Sequence, residues 1–329
     1  MPNQSPVVVP TLAEFEAAHE IVAQVAIETP VLHSNYLSKL TGADVWLKAE
    51  TLQRTGAYKV RGAYHRMSKL TAAERKKGVV AASAGNHAQG VALAAKKLGI
   101  SATIVMPSNA PRMKLEATKA LGAQVVLYDR ATESREAVAA ALIAQSNATL
   151  VHAFGDPWVI EGQGTAGIEI AEQLQSLGIA GPDLLVSCCG GGGLAAGLAL
   201  ACPDAEIAIV EPEGWDDIIR SLEAGEILPV NDLLHPTYCD ALQTPQTYPV
   251  NFDVLRNRVS QGVSVTTGEV AAAMRLVFEK LHLVVEPGGA VALAAVLAGK
   301  IDLKPVTAVT LSGGNVDRET FVQLLAQAA

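Results

Sequence analysis

Leu184-Leu185-Val186-Ser187-Cys188-Cys189-Gly190-Gly191-Gly192-Gly193-Leu194-Ala195-Ala196-Gly197 is the stretch that decides the fold. An apolar run ends on four successive glycines and passes directly into an alanine-rich pattern over Ala195 to Ala201, which reads as buried strand, tight loop and helix start. Such a loop is an anion cradle, because backbone without side chains lets several N–H groups face one phosphate and the helix dipole adds partial positive charge. Four glycines together carry a backbone-entropy cost that packing alone rarely offsets, so phosphate binding is the better reading than a flexible turn. The same loop fits a loose dinucleotide pattern, with Gly190, Gly192 and Ala195 as G-x-G-x-x-A and Glu211 near the position of the ribose-binding acid. On these residues alone, an NAD-dependent oxidoreductase competes.

Working outward, short β-branched runs alternate with alanine-rich helical stretches, the signature of parallel sheet covered by helices, so the fold class is α/β. One series of strands is expected at Val79 to Ala82, Ala102 to Met106, Gln124 to Tyr128 and Thr149 to His152, with Gly99 and Gly122 ending helices and Pro111 starting one. A second series is expected at Leu184 to Ser187, Ile207 to Val210, Gly262 to Val265 and Val306 to Leu311. Between Pro229 and Phe252 the pattern lapses into a connection rich in Pro, Thr and Gln, read as an ordered active-site or surface loop.

The 329 residues are 50% hydrophobic with a formal charge of −8, a composition that suits about two globular domains and argues against disorder. With no basic run, neither nucleic acid nor an anionic membrane is the expected partner. No apolar stretch is long enough for a transmembrane helix, and Met1 to Pro10 lacks the basic start of a signal peptide. The four cysteines, Cys188, Cys189, Cys202 and Cys239, include no C-x-x-C, so a reducing, cytoplasmic compartment is expected.

Ligands of open α/β sheets sit beyond the carboxyl ends of the strands, and three further loops there carry chemistry. Lys59, in KAETLQRTGAYKVRGA from Lys48 to Ala63, follows a small-residue turn and is flanked by aromatic, aliphatic and glycine residues. A lysine in such company is either a solvated surface group or a buried amine of lowered pKa, nucleophilic towards an aldehyde. Ser83-Ala84-Gly85-Asn86-His87 closes a strand and opens a helix running to Leu98, so its backbone N–H groups suit a carboxylate. Ser312-Gly313-Gly314-Asn315 follows the last strand and offers a hydroxyl.

Taken in order, KAETLQRTGAYKVRGA, SAGNHAQG, GGGGLAAG and LSGGNVD resemble the serine/threonine dehydratase and serine racemase family of pyridoxal 5′-phosphate enzymes, of the tryptophan-synthase β-subunit fold type, over about Thr29 to Asp317. The resemblance displaces the nicotinamide reading. It implies that Lys59 carries the cofactor, that Gly190, Gly191, Gly192, Gly193 and Leu194 hold its phosphate, and that Asn86 meets its phenolic oxygen and Ser312 its pyridine nitrogen. Ser83, Ala84, Gly85, Asn86 and His87 would then bind the substrate carboxylate. It also implies a large domain of residues 1–63 and 154–329, a small domain of residues 64–153, and a homodimer or dimer-based oligomer. Only 12 residues follow Asp317, so no C-terminal regulatory domain and no feedback control are expected.

The implied reaction takes a β-hydroxy amino acid, L-threonine or L-serine first, to a 2-oxo acid and ammonia. Lys59 removes the α-proton, the ring spreads the carbanion charge, and the β-hydroxyl leaves. Arg135 lies where some relatives place an arginine near the substrate, which keeps 3-hydroxyaspartate open, as 3-phenylserine also is; its plainer reading is a surface helix arginine paired with a glutamate. Ala84 stands where serine racemases carry a hydroxyl, and Phe154 where they tend to be polar, so a dehydratase rather than a racemase is expected. Glu211 and Asp217, with the Trp215 carbonyl, are spaced as in metal-dependent members of the family and would suit Mg²⁺, Mn²⁺ or Ca²⁺; the alternative is an acidic strand end and helix cap.

Overall fold

A computed structural model describes residues 9–327, so most of the Met1 to Pro10 segment, read as free of a targeting signal, lies outside the described residues. Among the described residues ten strands form two sheets. β1 (Val31–His33), β2 (Asp44–Ala49), β7 (Leu184–Cys188), β8 (Glu206–Pro212), β9 (Val259–Val265) and β10 (Val306–Leu311) make a six-stranded sheet in the order β1-β2-β10-β7-β8-β9. Only β1 is antiparallel to its neighbour. β3 (Val79–Ala82), β4 (Ala102–Pro107), β5 (Gln124–Tyr128) and β6 (Thr149–Leu150) make a parallel sheet in the order β5-β4-β3-β6.

Both strand series expected from the sequence are present and belong to separate sheets. β6 is shorter than the expected Thr149 to His152, because pairing with β3 stops after Leu150, with one further bond from the Val151 N–H to the Val80 carbonyl. The helix after the glycines begins at Gly193 rather than Ala195. β1 and β2 were not expected. β1 is too short to show a pattern, and β2 is buried at every position but Asp44, so it lacks the two-residue alternation of a half-exposed strand.

A large apolar core fills the six-stranded sheet, built from strand residues such as Leu185, Ile207 and Val309 and from the helices Pro157–Ser176, Gly193–Ala201 and Pro287–Leu297. A second core lies against the four-stranded sheet, where Ala81 and Ile104 meet Ala88 and Val91 of the helix Asn86–Leu98. Helix Lys59–Ser68 spans the expected domain boundary at residues 63 and 64, giving Val60, Ala63, Tyr64 and Met67 to this second core. Gly90 makes this close packing necessary, since a Cβ there would stand 2.9 Å from the Lys59 carbonyl carbon. The helix that begins with Lys59 is thereby seated beside the helix that begins with Asn86. Among the described residues no helix is long and apolar enough to cross a membrane.

Candidate active site

The loops after β3, β7 and β10 converge on one cleft between the two sheets. It is lined by Lys59, by Ser83, Ala84, Gly85, Asn86 and His87, by Gly190, Gly191, Gly192, Gly193 and Leu194, and by Ser312 and Arg135. Every residue that the sequence assigned to cofactor or substrate is therefore brought together.

Lys59 opens the helix Lys59–Ser68 and is placed by the end of β10. The Tyr58 N–H donates to the Ser312 carbonyl, Ala57 bridges Gly313, the Gly314 N–H donates to the Gly56 carbonyl, and Asn315 Nδ2 donates to the Thr55 carbonyl at 2.7 Å. Thr55 and Gly56 both adopt left-handed backbone, φ 64° and 69°, and a Cβ at Gly56 would lie 2.5 Å from Asn315 Oδ1. Only glycine permits so close an approach. The turn sets Lys59 Nζ pointing into the cleft, where it donates to the Ala153 carbonyl at 2.9 Å. Burial disfavours its charged form and pushes its pKa down to about 8, so a useful fraction is neutral amine near neutral pH.

Asn86 begins its helix with a side-chain amide fixed at both ends. Its Nδ2 donates to the buried Glu286, and its Oδ1 accepts from Asn315 Nδ2 at 2.9 Å. The second N–H of the Asn86 amide is not used in these bonds, and Asn86 lines the cleft. Backbone N–H groups at this helix start are unpaired within the helix, and Ser83 Oγ accepts from the Gly85 N–H at 3.1 Å, so the serine supports the loop as well as lining the site. His87 Nε2 donates to the Val151 carbonyl, Nδ1 has no partner among the described residues, and burial pulls the imidazole down to about 3, so it is neutral. Ser312 Oγ accepts from the Cys188 thiol at 3.2 Å, and burial holds that thiol protonated.

Lys114 and Arg130, which sequence reasoning missed, also reach the cleft, as does Phe154. Lys114 donates to both Asp240 oxygens and to Glu286 Oε2 at 2.8 to 2.9 Å. Burial opposes its charge, but the two carboxylates outweigh that and hold its pKa above the ordinary lysine range. Arg130 also lines the cleft and reaches Gln243. Phe154 packs on the glycine loop so tightly that a Cβ at Gly191 would lie 2.4 Å from its ring. No local signal marks Lys114 and Arg130, because their partners are more than a hundred positions away. Arg135 lies on the cleft wall, and its Nε and Nη2 both donate to the neighbouring Glu136.

Glu211, Trp215 and Asp217 do not line this cleft. Glu211 is fully buried at the end of β8, and its carboxylate accepts from the Ile218 and Ile219 N–H groups. Asp217 is buried beside it, its Oδ2 without a partner among the described residues, and burial raises both pKa values, that of Asp217 to about 7. Two desolvated carboxylates with an unsatisfied oxygen suit a hard divalent cation. Among the described residues no group of three His, Cys, Asp or Glu side chains is placed to hold a metal, so backbone oxygen would have to complete the shell.

The cleft fits a phosphorylated aldehyde: it is lined by a partly neutral amine, by glycine backbone that close neighbours keep free of side chains, by a serine hydroxyl and by an asparagine amide. The chain is similar to known proteins throughout. A family model described as "Pyridoxal-phosphate dependent enzyme" matches residues 22–313. An L-threonine ammonia-lyase of Thermotoga maritima is 40% identical over 312 residues, 93% of this chain and 76% of that protein. An L-threo-3-hydroxyaspartate ammonia-lyase of a Pseudomonas species is 42% identical over 306 residues, 91% of this chain and 93% of the relative. The solved structure of maize serine racemase superposes with a TM-score of 0.88 at 34% identity, covering 97% of this chain and 98% of the other. With matching motifs, cleft and fold, the chain belongs to the pyridoxal-phosphate dependent enzyme family.

Proposed function

We propose that the protein is an ammonia-lyase that converts a β-hydroxy amino acid, L-threonine or L-serine, to the 2-oxo acid and ammonia. The observation that carries this reading is the amine of Lys59, its pKa drawn down to about 8, lining one cleft with the helix start at Ser83 to His87, which suits a carboxylate. Pyridoxal phosphate, when bound, supplies an aldehyde for the substrate amine and a ring that takes up electrons from the α-carbon. N–H groups of Gly190 to Leu194 would hold its phosphate, Asn86 would donate an N–H to the cofactor, and Ser312 would offer a hydroxyl to the ring nitrogen. A hydroxyl in that place would leave the nitrogen largely neutral, which would favour elimination over deeper carbanion chemistry. The substrate carboxylate is held by the N–H groups of the helix that starts at Asn86, where the helix dipole favours an anion. Lys59 takes the α-proton, and the Ala153 carbonyl orients its nitrogen.

Ala84 presents a methyl group to the cleft, so nothing at that position can return a proton to the opposite side of the α-carbon, and racemisation is the minor activity. A second substrate reading, 3-hydroxyaspartate, is favoured by one observation: Arg130 and Arg135 both line the cleft and could meet a second carboxylate. Mg²⁺, Mn²⁺ or Ca²⁺ is proposed at Glu211 and Asp217 with the Trp215 carbonyl. Residues 64–153 are proposed as the small domain, and a cytoplasmic homodimer as the working form.

The test is a panel of L-threonine, L-serine, L-threo-3-hydroxyaspartate and 3-phenylserine, followed by 2-oxo acid formation. Turnover of the first two that is lost in Lys59→Ala is expected. A protein that forms no 2-oxo acid from any of the four, although loaded with cofactor, overturns the reading.

A further inference from the structure

The connection Pro229 to Phe252, singled out in the sequence, sends two buried side chains to one atom of the glycine loop. Asn251 Nδ2 donates to the Gly191 carbonyl at 2.6 Å, and Thr247 Oγ1 donates to the same oxygen at 3.1 Å. Asn251 is 0% exposed and Thr247 is 1% exposed. Asn251 holds this position at a cost, since its Oδ1 is buried with no partner among the described residues, and such a group normally finds one.

A glycine loop binds an anion only if its N–H groups point at the anion and its carbonyls point away. A carbonyl turned away into protein must find donors there, or it carries the full penalty of an unmade buried hydrogen bond. Gly191 is followed by Gly192 at φ +87°, a left-handed residue that reorients the next peptide and helps bring successive N–H groups to one side. The outer face of the loop is closed by the same connection: a Cβ at Gly192 would lie 3.2 Å from Asn251 Cβ, and one at Gly190 would lie 3.2 Å from Leu242 Cα. The loop is thus pressed from outside and anchored through a single carbonyl.

We propose that Asn251 and Thr247 are positioning residues that hold the Gly191 peptide with its carbonyl outward, so that the glycine loop's N–H groups stay aimed at a phosphate monoester. The proposal rests on the reading of that loop as the cofactor phosphate site. Its consequence is specific to phosphate: losing the two donors should weaken binding of pyridoxal phosphate far more than binding of pyridoxal, which lacks the anion but keeps the aldehyde and ring.

The test strips cofactor from the full chain and measures binding of pyridoxal phosphate and of pyridoxal by fluorescence titration. In the unmodified chain the phosphate ester should bind much more tightly. In Asn251→Leu the preference should fall about ten-fold, the loss expected of one buried hydrogen bond to a carbonyl. In Thr247→Val, nearly the same shape without the hydroxyl donor, it should fall a few-fold, and in Thr247→Ser it should be retained. An unmodified chain with no preference for the phosphate ester overturns the loop assignment itself. A strong preference that survives in both Thr247→Val and Asn251→Leu overturns only the positioning role. Should Asn251→Leu fail to fold, the comparison of Thr247→Val with Thr247→Ser decides alone.

Discussion

Arg61→Met is the perturbation that most directly probes how Lys59 is held. Arg61 lies two residues beyond Lys59 on the same helix and is 0% exposed. Its Nε and Nη2 grip Glu50 at 2.8 Å each, and its Nη1 and Nη2 grip Glu169 at 2.6 and 2.7 Å. Lys48, also buried, completes the group by donating to Glu169 at 2.6 Å and to the Thr29 carbonyl at 2.7 Å. Two cations and two carboxylates balance, tying β2, the Lys59 helix and the helix Pro157–Ser176 together. Removing the guanidinium leaves one buried negative charge without compensation, which costs about 3 to 5 kcal/mol.

Urea unfolding at pH 7, followed by tryptophan fluorescence, should show that loss. Glu50→Gln added to Arg61→Met restores neutrality and should recover a substantial part of it. The pH dependence has a definite sign. Burial raises the Glu50 pKa, but the Arg61 charge and its hydrogen bonds outweigh burial and leave it below the ordinary glutamate value. A carboxyl with a depressed folded pKa contributes stability above its unfolded pKa and loses it as pH falls through the folded value. The share of the gap that Glu50 contributes in the unmodified protein should therefore stay constant from pH 7 down to about 4 and shrink as pH falls further. A loss below about 1 kcal/mol at pH 7, or a double variant no more stable than the single one, would refute the charge-balance reasoning.

In the cofactor-free chain, capture of pyridoxal phosphate should accelerate with pH and level off above about 8, because only the neutral Lys59 amine attacks an aldehyde; stopped-flow absorbance measures it, and a rate flat from pH 6 to 9 contradicts the assignment. Ala84→Ser should raise D-serine formation from L-serine relative to pyruvate, read by chiral chromatography, while D-serine appearing as fast as pyruvate in the unmodified protein defeats the role given to Ala84. Chelation should lower thermal stability, with recovery on adding Mg²⁺, Mn²⁺ or Ca²⁺; no change, with no metal found by elemental analysis, leaves Glu211 and Asp217 as a helix cap alone.

The sequence by itself determined the parts of the site that are made locally. Gly190 to Gly193 between strand and helix, the helix start at Ser83 to His87, and the small-residue turn before Lys59 all depend on backbone freedom, capping and periodicity within a few residues. These signals survive without knowledge of where the chain goes next. The strands of both sheets were legible for the same reason, except β1 and β2, whose short length and near-complete burial erase the alternating pattern.

What only the tertiary structure decided is which distant groups meet. Glu286 reaches Asn86 across 200 positions, Lys114 reaches Glu286 across 172, and Asn251 reaches Gly191 across 60. Glu286, Lys114 and Asn251 each look like an ordinary surface side chain in the sequence. The parallel crossovers return widely separated loops to one end of the sheets, and burial there makes a charge or a carbonyl costly unless a partner arrives from elsewhere in the chain.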